Sequence, residues 1–353
     1  MTIKILKAGS GDAIILSFKE KNDGRNILID FGNKRDEYST HLKEELKAIK
    51  DKGEFIDLAI VTHMDEDHLS GFEFLYEDFK NNQLDKSIIK KYWFNTFSSV
   101  KECLNISARQ VNLLQEFLVK ESDKWNINEL IKQQDKPLDI LGLKITILSP
   151  NIETLKRFNE KYNDIAGKKL EDDYKEDIVT LWSNEEDRRK SGHIDFDRTL
   201  ENATSIAFIL EHPKVIILFL GDAIPSVIDV AIKNYLEKNK LPKLIVDFVK
   251  LSHHASRRSI SMKFLELVEA NNYIISTDGN KHKHPNKITI AKILMNPKRD
   301  KSKNINFIFN YSNVAENVLK NPNCLVEIEN EKTNHKFTFE AENYEHGYKY
   351  SID

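Results

Sequence analysis

Cysteine is scarce in this sequence: its 353 residues include two, Cys103 and Cys324, which lie far apart. Two isolated cysteines indicate neither a disulfide framework nor a zinc ribbon, and they favour a reducing, cytoplasmic location. No apolar run approaches the ~18 residues that a membrane span requires, so we expect no membrane association. The N-terminus also lacks the basic start, apolar middle and small-residue cleavage site of a signal peptide.

An excess of charge of one sign is missing as well. The net charge of −3 argues against a protein that coats nucleic acid by bulk electrostatics. It leaves room for a nuclease, because a nuclease needs only a local basic groove. Glycine (12) and proline (8) are few and 40% of the residues are hydrophobic, a composition typical of a globular protein without low-complexity segments.

Apolar β-branched runs and helical patterns follow one another along the chain, which predicts a layered α/β protein. The predicted strands cover 3–6, 13–18, 26–31, 57–63, 90–95, 143–150, 204–210, 214–222, 244–254, 272–277 and 304–311. The predicted helices cover 39–52, 71–80, 109–122, 226–240, 261–270 and 288–295, and a final hairpin is expected from 324–330 and 336–341. We expect one domain over 1–353, with the charged segment 151–201 as an insertion or cap; the alternative is a solvated face of the same domain.

The segment VTHMDEDHLSGF, residues 61–72, contains five side chains that can bind a metal: His63, Asp65, Glu66, Asp67 and His68. It follows a predicted buried strand and precedes a predicted helix, which is where ligands collect in layered α/β proteins. Imidazoles and carboxylates that alternate on a turn suit a divalent cation. The alternative interpretation is a solvated charged loop.

Three further acidic or histidine groups stand where predicted strands end. Asp222 follows LFLG, as either a helix cap or a ligand. His253 and His254 occur in KLSHHASRRS, and His284 occurs in KHKHPN. A lone histidine at such a place is usually packed or solvated, but four such groups in one chain predict a metal site.

The ordered set of motifs resembles the metallo-β-lactamase superfamily. VTHMDEDHLSG is similar to its His-x-His-x-Asp-His signature, and LGDA to its strand-end aspartate that bridges two metals. Asp65 in place of histidine, with AGSGDAIIL, LSHHAS and KHKHPN, resembles one branch: the hydrolase domain of bacterial competence DNA-uptake (ComEC-like) proteins. The resemblance spans residues 1–290 with 80–200 largely unmatched. It implies a four-layered αββα sandwich of two mixed β-sheets with flanking helices.

The resemblance also implies roles for individual residues. The implied metal shell consists of His63, Asp65, Asp67, His68, Asp222 and His253. The implied catalytic residues are Asp67, His254 and His284, with both histidines around the substrate, and the implied supporting or substrate-facing residues are Asp12, Asn202, Ser205 and Ser256. Two departures stand out, because Ala255 replaces the usual glycine and a further histidine expected before Asp222 is missing, the nearest being His193.

A dinuclear metal-activated water and hydrolysis of DNA are the activity that this branch implies. A carboxylate-rich shell favours Mn²⁺ over Zn²⁺ or Mg²⁺. Stand-alone members of the branch lead us to expect an ATPase or other operon partner in bacterial defence. The alternatives are a small-molecule hydrolase (nucleotide phosphodiesterase, lactonase or thioesterase) and a non-catalytic, metal-stabilised partner subunit.

Local support for a DNA substrate is ambiguous. Arg257, Arg258 and the basic segment 296–304 can form a rim for a phosphate backbone, or be solvated surface. The aromatic run 92–94 can stack on unpaired bases, or pack in the core of a strand.

Overall fold

The computed structural model describes residues 1–95, 106–121, 130–161, 173–174, 176–192, 195–319 and 336–352. The strands in these ranges are β1 (Thr2–Leu6), β2 (Ile14–Glu20), β3 (Asp23–Ile29), β4 (Leu58–Ile60), β5 (Tyr92–Trp93), β6 (Leu138–Ile140), β7 (Leu143–Ser149), β8 (Ala207–His212), β9 (Val215–Phe219), β10 (Leu244–Lys250), β11 (Val268–Ile275), β12 (Ile305–Phe309), β13 (Phe337–Ala341) and β14 (Gly347–Ser351).

These strands form two mixed sheets. The first has the order β14-β1-β2-β3-β4-β5 and the second the order β13-β12-β11-β10-β9-β8-β7-β6. In the second sheet β9 to β13 run parallel, while β6 to β9 are antiparallel. In the first sheet β3, β4 and β5 are parallel. Because β9 and β10 are neighbouring parallel strands, the residues that follow them meet at one edge of the second sheet. The turn after β4 of the first sheet is tied to the second sheet by a 2.8 Å hydrogen bond from the Ile206 N–H to the Thr62 carbonyl.

The helices cover the outer faces of both sheets. They are α1 (Arg35–Glu37), a π-helical stretch (Tyr38–Leu42), α2 (Lys43–Asp51), α3 (Glu66–Lys80), a 3₁₀ turn (Lys86–Ile88), α4 (Ile106–Lys120), α5 (Ile152–Lys161), α6 (Ile178–Lys190), α7 (Leu200–Ala203), α8 (Pro225–Asn239), a 3₁₀ turn (Ser252–Ala255), α9 (Met262–Leu267), α10 (Lys287–Met295) and α11 (Ser312–Leu319).

Three apolar cores separate the resulting four layers. Side chains such as Ile29 and Ile60 of the first sheet meet Phe208, Phe219 and Phe248 of the second between the sheets. A second core lies under the helices of the first sheet and a third under those of the second. Sheets with both faces buried need apolar side chains on both faces, which explains their long apolar runs. The predicted αββα sandwich is confirmed.

Several predicted boundaries move. Helix α3 begins at Glu66 instead of 71, so Asp67 and His68 lie in its first turn. Strand β11 begins at Val268, within the predicted helix 261–270. Of the predicted final hairpin, 336–341 forms β13 beside β12, whereas 324–330 lies outside the described residues, as do Cys103, Cys324 and His193. No helix of the described ranges is long and apolar enough to cross a membrane.

The charged segment 151–201 contributes to both outer layers. Leu155 and Phe158 of α5 are buried in the core beside the first sheet, and Ile178 and Leu181 of α6 in the core beside the second. The buried carboxylate of Asp173 accepts hydrogen bonds from the first backbone N–H groups of α10, at 2.8 and 3.1 Å. An anion at this position complements the helix dipole and fixes this segment to α10.

One half-buried carboxylate in α8 weakens the fold at neutral pH. Asp229 Oδ2 accepts a hydrogen bond of 2.6 Å from Ser261, but Oδ1 is buried and has no partner among the described residues. Burial raises the pKa of Asp229 to about 6 from its ordinary value of 3.8. Because the folded state favours the neutral acid, this penalty is absent below pH 4, grows between pH 4 and 6, and is complete above pH 6.

We therefore expect Asp229→Asn to stabilise the metal-free protein by about 1–2 kcal/mol at pH 7.5, after a discount for partial solvent screening. At pH 4.5 most of the gain should disappear. Urea unfolding at both pH values measures the difference, with exposed Asp187→Asn as control. An equal gain at both pH values would contradict the assigned cause.

Candidate metal centre

The turn between β4 and α3 carries the first half of the site. His63 and His68 are buried, and the centroids of their rings are 4.3 Å apart. Asp65 is the N-cap residue of α3, yet its side chain makes no capping hydrogen bond. Its Oδ2 lies 3.6 Å from His63 Nε2 instead. Gly11 lets the β1–β2 loop close over this turn, because a Cβ there would lie 1.5 Å from the carbonyl oxygen of Asp67.

Asp222 occupies the middle of the group. Helix α8 begins at Pro225 with Ile224 as its N-cap, so Asp222 is not the helix cap that the sequence allowed. Its Oδ1 lies 3.3 Å from His68 Nε2, and its Oδ2 lies 3.8 Å from His63 Nε2. Gly221, with φ of +50°, makes the turn possible, because a Cβ there would lie 2.3 Å from Ser205 Oγ. That hydroxyl accepts a 3.0 Å hydrogen bond from the Asp222 N–H.

The two consecutive histidines after β10 face different partners. His254 Nε2 lies 3.5 Å from Asp67 Oδ2 and 3.9 Å from Asp222 Oδ2. His253 Nε2 lies 4.0 Å from Asp222 Oδ2, and its Nδ1 lies 3.1 Å from Asp197 Oδ2. His253, His254 and Ala255 all have positive φ, 48°, 53° and 63°. Glycine adopts this conformation without a Cβ penalty, so Ala255, which stands where the motif it resembles has glycine, carries a conformational cost.

Hydrogen bonds on the far side of each imidazole fix which nitrogen faces the centre. The Nδ1 of His68 donates to Asp30 Oδ2 at 2.7 Å, and that of His254 to the Ser276 carbonyl at 2.7 Å. Thr62 Oγ1 donates to Asp30, so it accepts from His63 Nδ1 at 3.0 Å. The Nε2 atoms of all three histidines therefore point inward, as in metal sites.

The inward-facing atoms lack partners. Four of them are buried without a hydrogen bond to any described residue: His63 Nε2, His68 Nε2, His254 Nε2 and Asp222 Oδ1. Native structures seldom leave so many buried polar atoms unpaired in one place. Two sets of three residues have ligand atoms within 4.8 Å of one another: His63, His68 and Asp222, and Asp67, His68 and His254. Imidazole and carboxylate donors in these sets fit divalent transition metals.

The charges of the centre stabilise one another. Burial alone would lower the pKa of His254, but Asp222 and Asp12 raise it to about 9. Burial likewise opposes ionisation of Asp222, yet His68 and His254 hold its pKa well below the ordinary value. Burial and the neighbouring His253 and His254 lower the pKa of His284 well below its ordinary value, so that imidazole is neutral.

The remaining predicted residues lie at different distances from this group. Asn202 donates to Asp197 at 2.6 Å beside His253, and the ring of His284 is 5.2 Å from that of His253. Ser256 Oγ lies 3.5 Å from the N–H of Arg258, within its own loop. Glu66 belongs to neither set of ligand atoms and pairs with Lys281 at 2.9 Å.

The three segments that were suggested as DNA contacts lie in different parts of the structure. Segment 296–304 precedes β12, so it lies at the opposite end of the parallel strands from Asp222. The interpretation of this segment as a basic rim around the site is therefore wrong. Tyr92 and Phe94 are buried in the core beside the first sheet, as the packing interpretation expects. Arg257 and Arg258 flank the site, but each pairs with an aspartate, Asp173 and Asp195 respectively.

Comparison with known proteins agrees with the topology. Residues 8–104, which include the β4–α3 turn, match the model of the metallo-β-lactamase superfamily. The fold is the metallo-β-lactamase fold. No curated protein sequence matches the chain.

Among solved structures, the chain is similar to the metallo-β-lactamase fold protein YhfI from Bacillus subtilis, with 9% identity, 99% of each chain covered and a TM-score of 0.42. It is also similar to Zn²⁺-bound PqqB from Methylobacterium extorquens, with 11% identity, 100% of each chain covered and a TM-score of 0.43. A diphosphatase of the PhnP family is 11% identical over 77% of this chain and 85% of its own, with a TM-score of 0.33. The metallo-β-lactamase fold and the metal-binding clusters together indicate a metal-dependent hydrolase.

Three residues of the centre were missed from the sequence: Asp30, Asp197 and Lys250. Asp30 directly follows β3, so the strand-end criterion that selected Asp222 would also have found it. Lys250, whose ammonium group pairs with Asp12, ends a strand that is apolar apart from Asp247, and a charged residue at that place is itself a signal. Asp197 follows a charged stretch without periodicity, and nothing in the sequence distinguishes it from its neighbours.

Proposed function

We propose that this protein is a metal-dependent phosphodiesterase that binds two divalent ions. The observation that carries the proposal is the convergence of buried, unpaired ligand atoms around Asp222. One ion would be held by Asp67, His68 and His254, and the other by His63, Asp65 and His253, with Asp222 between them. When bound, two such ions activate water as a nucleophile and stabilise the charge that develops on a phosphoryl group.

The ligand assignment differs from the sequence expectation at the histidine pair. His254 lies against Asp67, so it is proposed as a ligand in addition to His253. His253 takes the place of the missing upstream histidine, because its Nε2 faces Asp222 while its Nδ1 donates to Asp197. Burial opposes ionisation of Asp197, but His253 lowers its pKa to about 2, which keeps a carboxylate behind this imidazole.

The Asp197–His253 contact supplies a direct test of that assignment. A carboxylate behind a ligating histidine typically raises metal affinity 10–100-fold, so Asp197→Asn should weaken binding by about that factor. Competition with a chromophoric chelator measures the dissociation constants. Asp195→Asn, which removes an exposed partner of Arg258 two residues earlier, is the matched control and should bind metal as the wild type does. Wild-type metal affinity in Asp197→Asn would contradict the assignment of His253 as a metal ligand.

The protein's own residues orient the reacting groups. The carboxylates of Asp67 and Asp222 would accept a proton or hydrogen bond from the attacking water, since both are held ionised. His284 is neutral and can donate a hydrogen bond to a substrate oxygen beside His253. The proposed shell has four imidazoles and three carboxylates; the carboxylates support Mn²⁺, which stays the metal predicted from the sequence ahead of Zn²⁺ or Mg²⁺.

DNA is the leading substrate, and its support is the resemblance of the ordered motifs to the competence-type hydrolase domain. The ATPase partner and the cytoplasmic location stay predictions from the sequence. To test the substrate, linear single- and double-stranded DNA are incubated with the protein in Mn²⁺, with Asp67→Ala as control. Cleavage that the variant loses would support the nuclease proposal, whereas equal products from both proteins would overturn it.

A small phosphodiester is the second candidate, and the ion pairs around the site favour it. Arg257, Arg258, Lys281 and Lys34 each pair with a carboxylate of the described chain. A polyanionic strand would have to displace these carboxylates to reach the cations. Hydrolysis of bis-p-nitrophenyl phosphate or a dinucleotide, without cleavage of DNA, would select this candidate.

A further inference from the structure

A lysine is buried directly behind the metal centre. Lys250, the last residue of β10, is 1% exposed, and its ammonium group forms an ion pair with the carboxylate of Asp12. The same ammonium group lies 3.5 Å from the carbonyl oxygen of Gly221, next to Asp222. Burial of a charged side chain is costly even when it is paired, so the position of this lysine calls for an explanation.

The partner of Lys250 belongs to a third group of metal-binding atoms. Asp12, Asp30 and His68 have ligand atoms within 4.8 Å of one another. This group uses the Nδ1 side of His68, where Asp30 Oδ2 lies at 2.7 Å and Asp12 Oδ2 at 3.9 Å. Asp12 Oδ1 also lies 3.6 Å from His254 Nδ1, so one carboxylate stands behind two proposed ligands.

We propose that Lys250 is a built-in cation that occupies this third group in place of a metal ion. This inference rests on the proposed metal centre. The ammonium group holds Asp12 in place behind His68 and His254, so that the Nε2 atoms of both face the centre. It also confines metal binding to the Nε2 side of His68. Lys250 is therefore a positioning residue, since it acts through Asp12.

The distribution of charge supports a permanent cation at this place. Four aspartates around the centre, Asp12, Asp30, Asp67 and Asp222, are buried. Divalent ions between the Nε2 atoms would neutralise Asp67 and Asp222, but Asp12 and Asp30 lie on the other side of His68. An ammonium group that is part of the chain cannot leave the site, so it neutralises the Nδ1 side of His68 whether or not metal is present.

The test compares Lys250→Ala with Lys292→Ala, a matched control. Lys292 is also buried and paired with Glu185, but its ammonium group contacts neither Asp12 nor Asp30. Both variants should lose thermal stability. Lys250→Ala should also bind Mn²⁺ or Zn²⁺ 10–100-fold more weakly, the range for removal of a group that supports ligands. Lys292→Ala should retain wild-type affinity.

Chemical rescue separates the charge from the shape of the side chain. Ethylammonium chloride should recover at least tenfold of the lost metal affinity in Lys250→Ala and raise the unfolding midpoint of its metal-free form, whereas sodium chloride at equal ionic strength should do neither. Wild-type metal affinity in Lys250→Ala, or recovery with sodium chloride alone, would overturn the proposal.

A second variant covers the case in which Lys250→Ala does not fold. Asp12→Asn combined with Lys250→Met removes both charges, so neither is left unpaired, and this double variant should fold. Its metal affinity should still be at least tenfold weaker, and wild-type affinity would overturn the proposal. If the wild type itself binds no metal, the proposed function fails. The ethylammonium effect on metal-free Lys250→Ala then still decides whether Lys250 fills a cation site.

Discussion

Asp222→Asn is expected to abolish metal binding and to lower hydrolytic activity by on the order of 10³-fold or more, the scale of losing a central member of a catalytic group. The reason is its position, because Asp222 Oδ2 lies within 4.0 Å of Nε2 atoms of three histidines, His63, His253 and His254. An amide keeps the shape of the side chain but offers one oxygen and no charge, so it would hold a divalent cation far less well.

Two measurements check this expectation: metal content by elemental analysis, and turnover of the substrate that the assays under the proposed function identify. Asp229→Asn, the same substitution seven residues later in α8, is the control and should keep both metal and activity. Full activity in Asp222→Asn would place the chemistry elsewhere in the molecule and overturn the metal-centre assignment.

Removal of metal should destabilise the wild type by about 4 kcal/mol relative to protein held at 1,000 times the dissociation constant. Ligand atoms that are buried without partners gain them only when metal binds, and this gain exists only in the folded state. The loss should lower the unfolding midpoint by several degrees in a calorimetric scan with and without chelator.

Asp222→Asn provides the internal comparison for the chelator experiment. With its metal site removed, this variant should show the same midpoint in both conditions. A wild-type midpoint that does not respond to chelator would mean that these atoms hold no metal in solution.

The parts of the fold and site that local patterns determine could be predicted from sequence. Strands with both faces buried leave long apolar runs, which predicted a layered α/β protein, whereas the four-layered sandwich was implied by the resemblance of the motifs. His63 to His68 lie on one short turn, so their proximity in space could be predicted from their spacing in the sequence. Strand-end residues such as Asp222 were predictable because parallel strands align their carboxyl ends.

The parts that depend on distant contacts could not be predicted. Asp197 reaches His253 across 56 residues of sequence, with no pattern in the chain to announce the contact. The choice between His253 and His254 depends on a left-handed backbone at both residues, which removes the regular alternation of side chains. The first position of α3 moved because helix caps leave weak signals, and Asp65 makes no capping hydrogen bond.

The two sheets contribute opposite halves of the metal centre, and this has a consequence for how the protein is made. The turn after β4 supplies His63, Asp67 and His68, whereas Asp222 and His254 follow strands of the second sheet. A nascent chain that has emerged only through β7 carries four of the seven proposed ligands and lacks Asp222, His253 and His254, so we expect it to hold no stable pair of ions. We therefore expect metal to bind only after β10 has been made, and bound ions would then link the first sheet to the second.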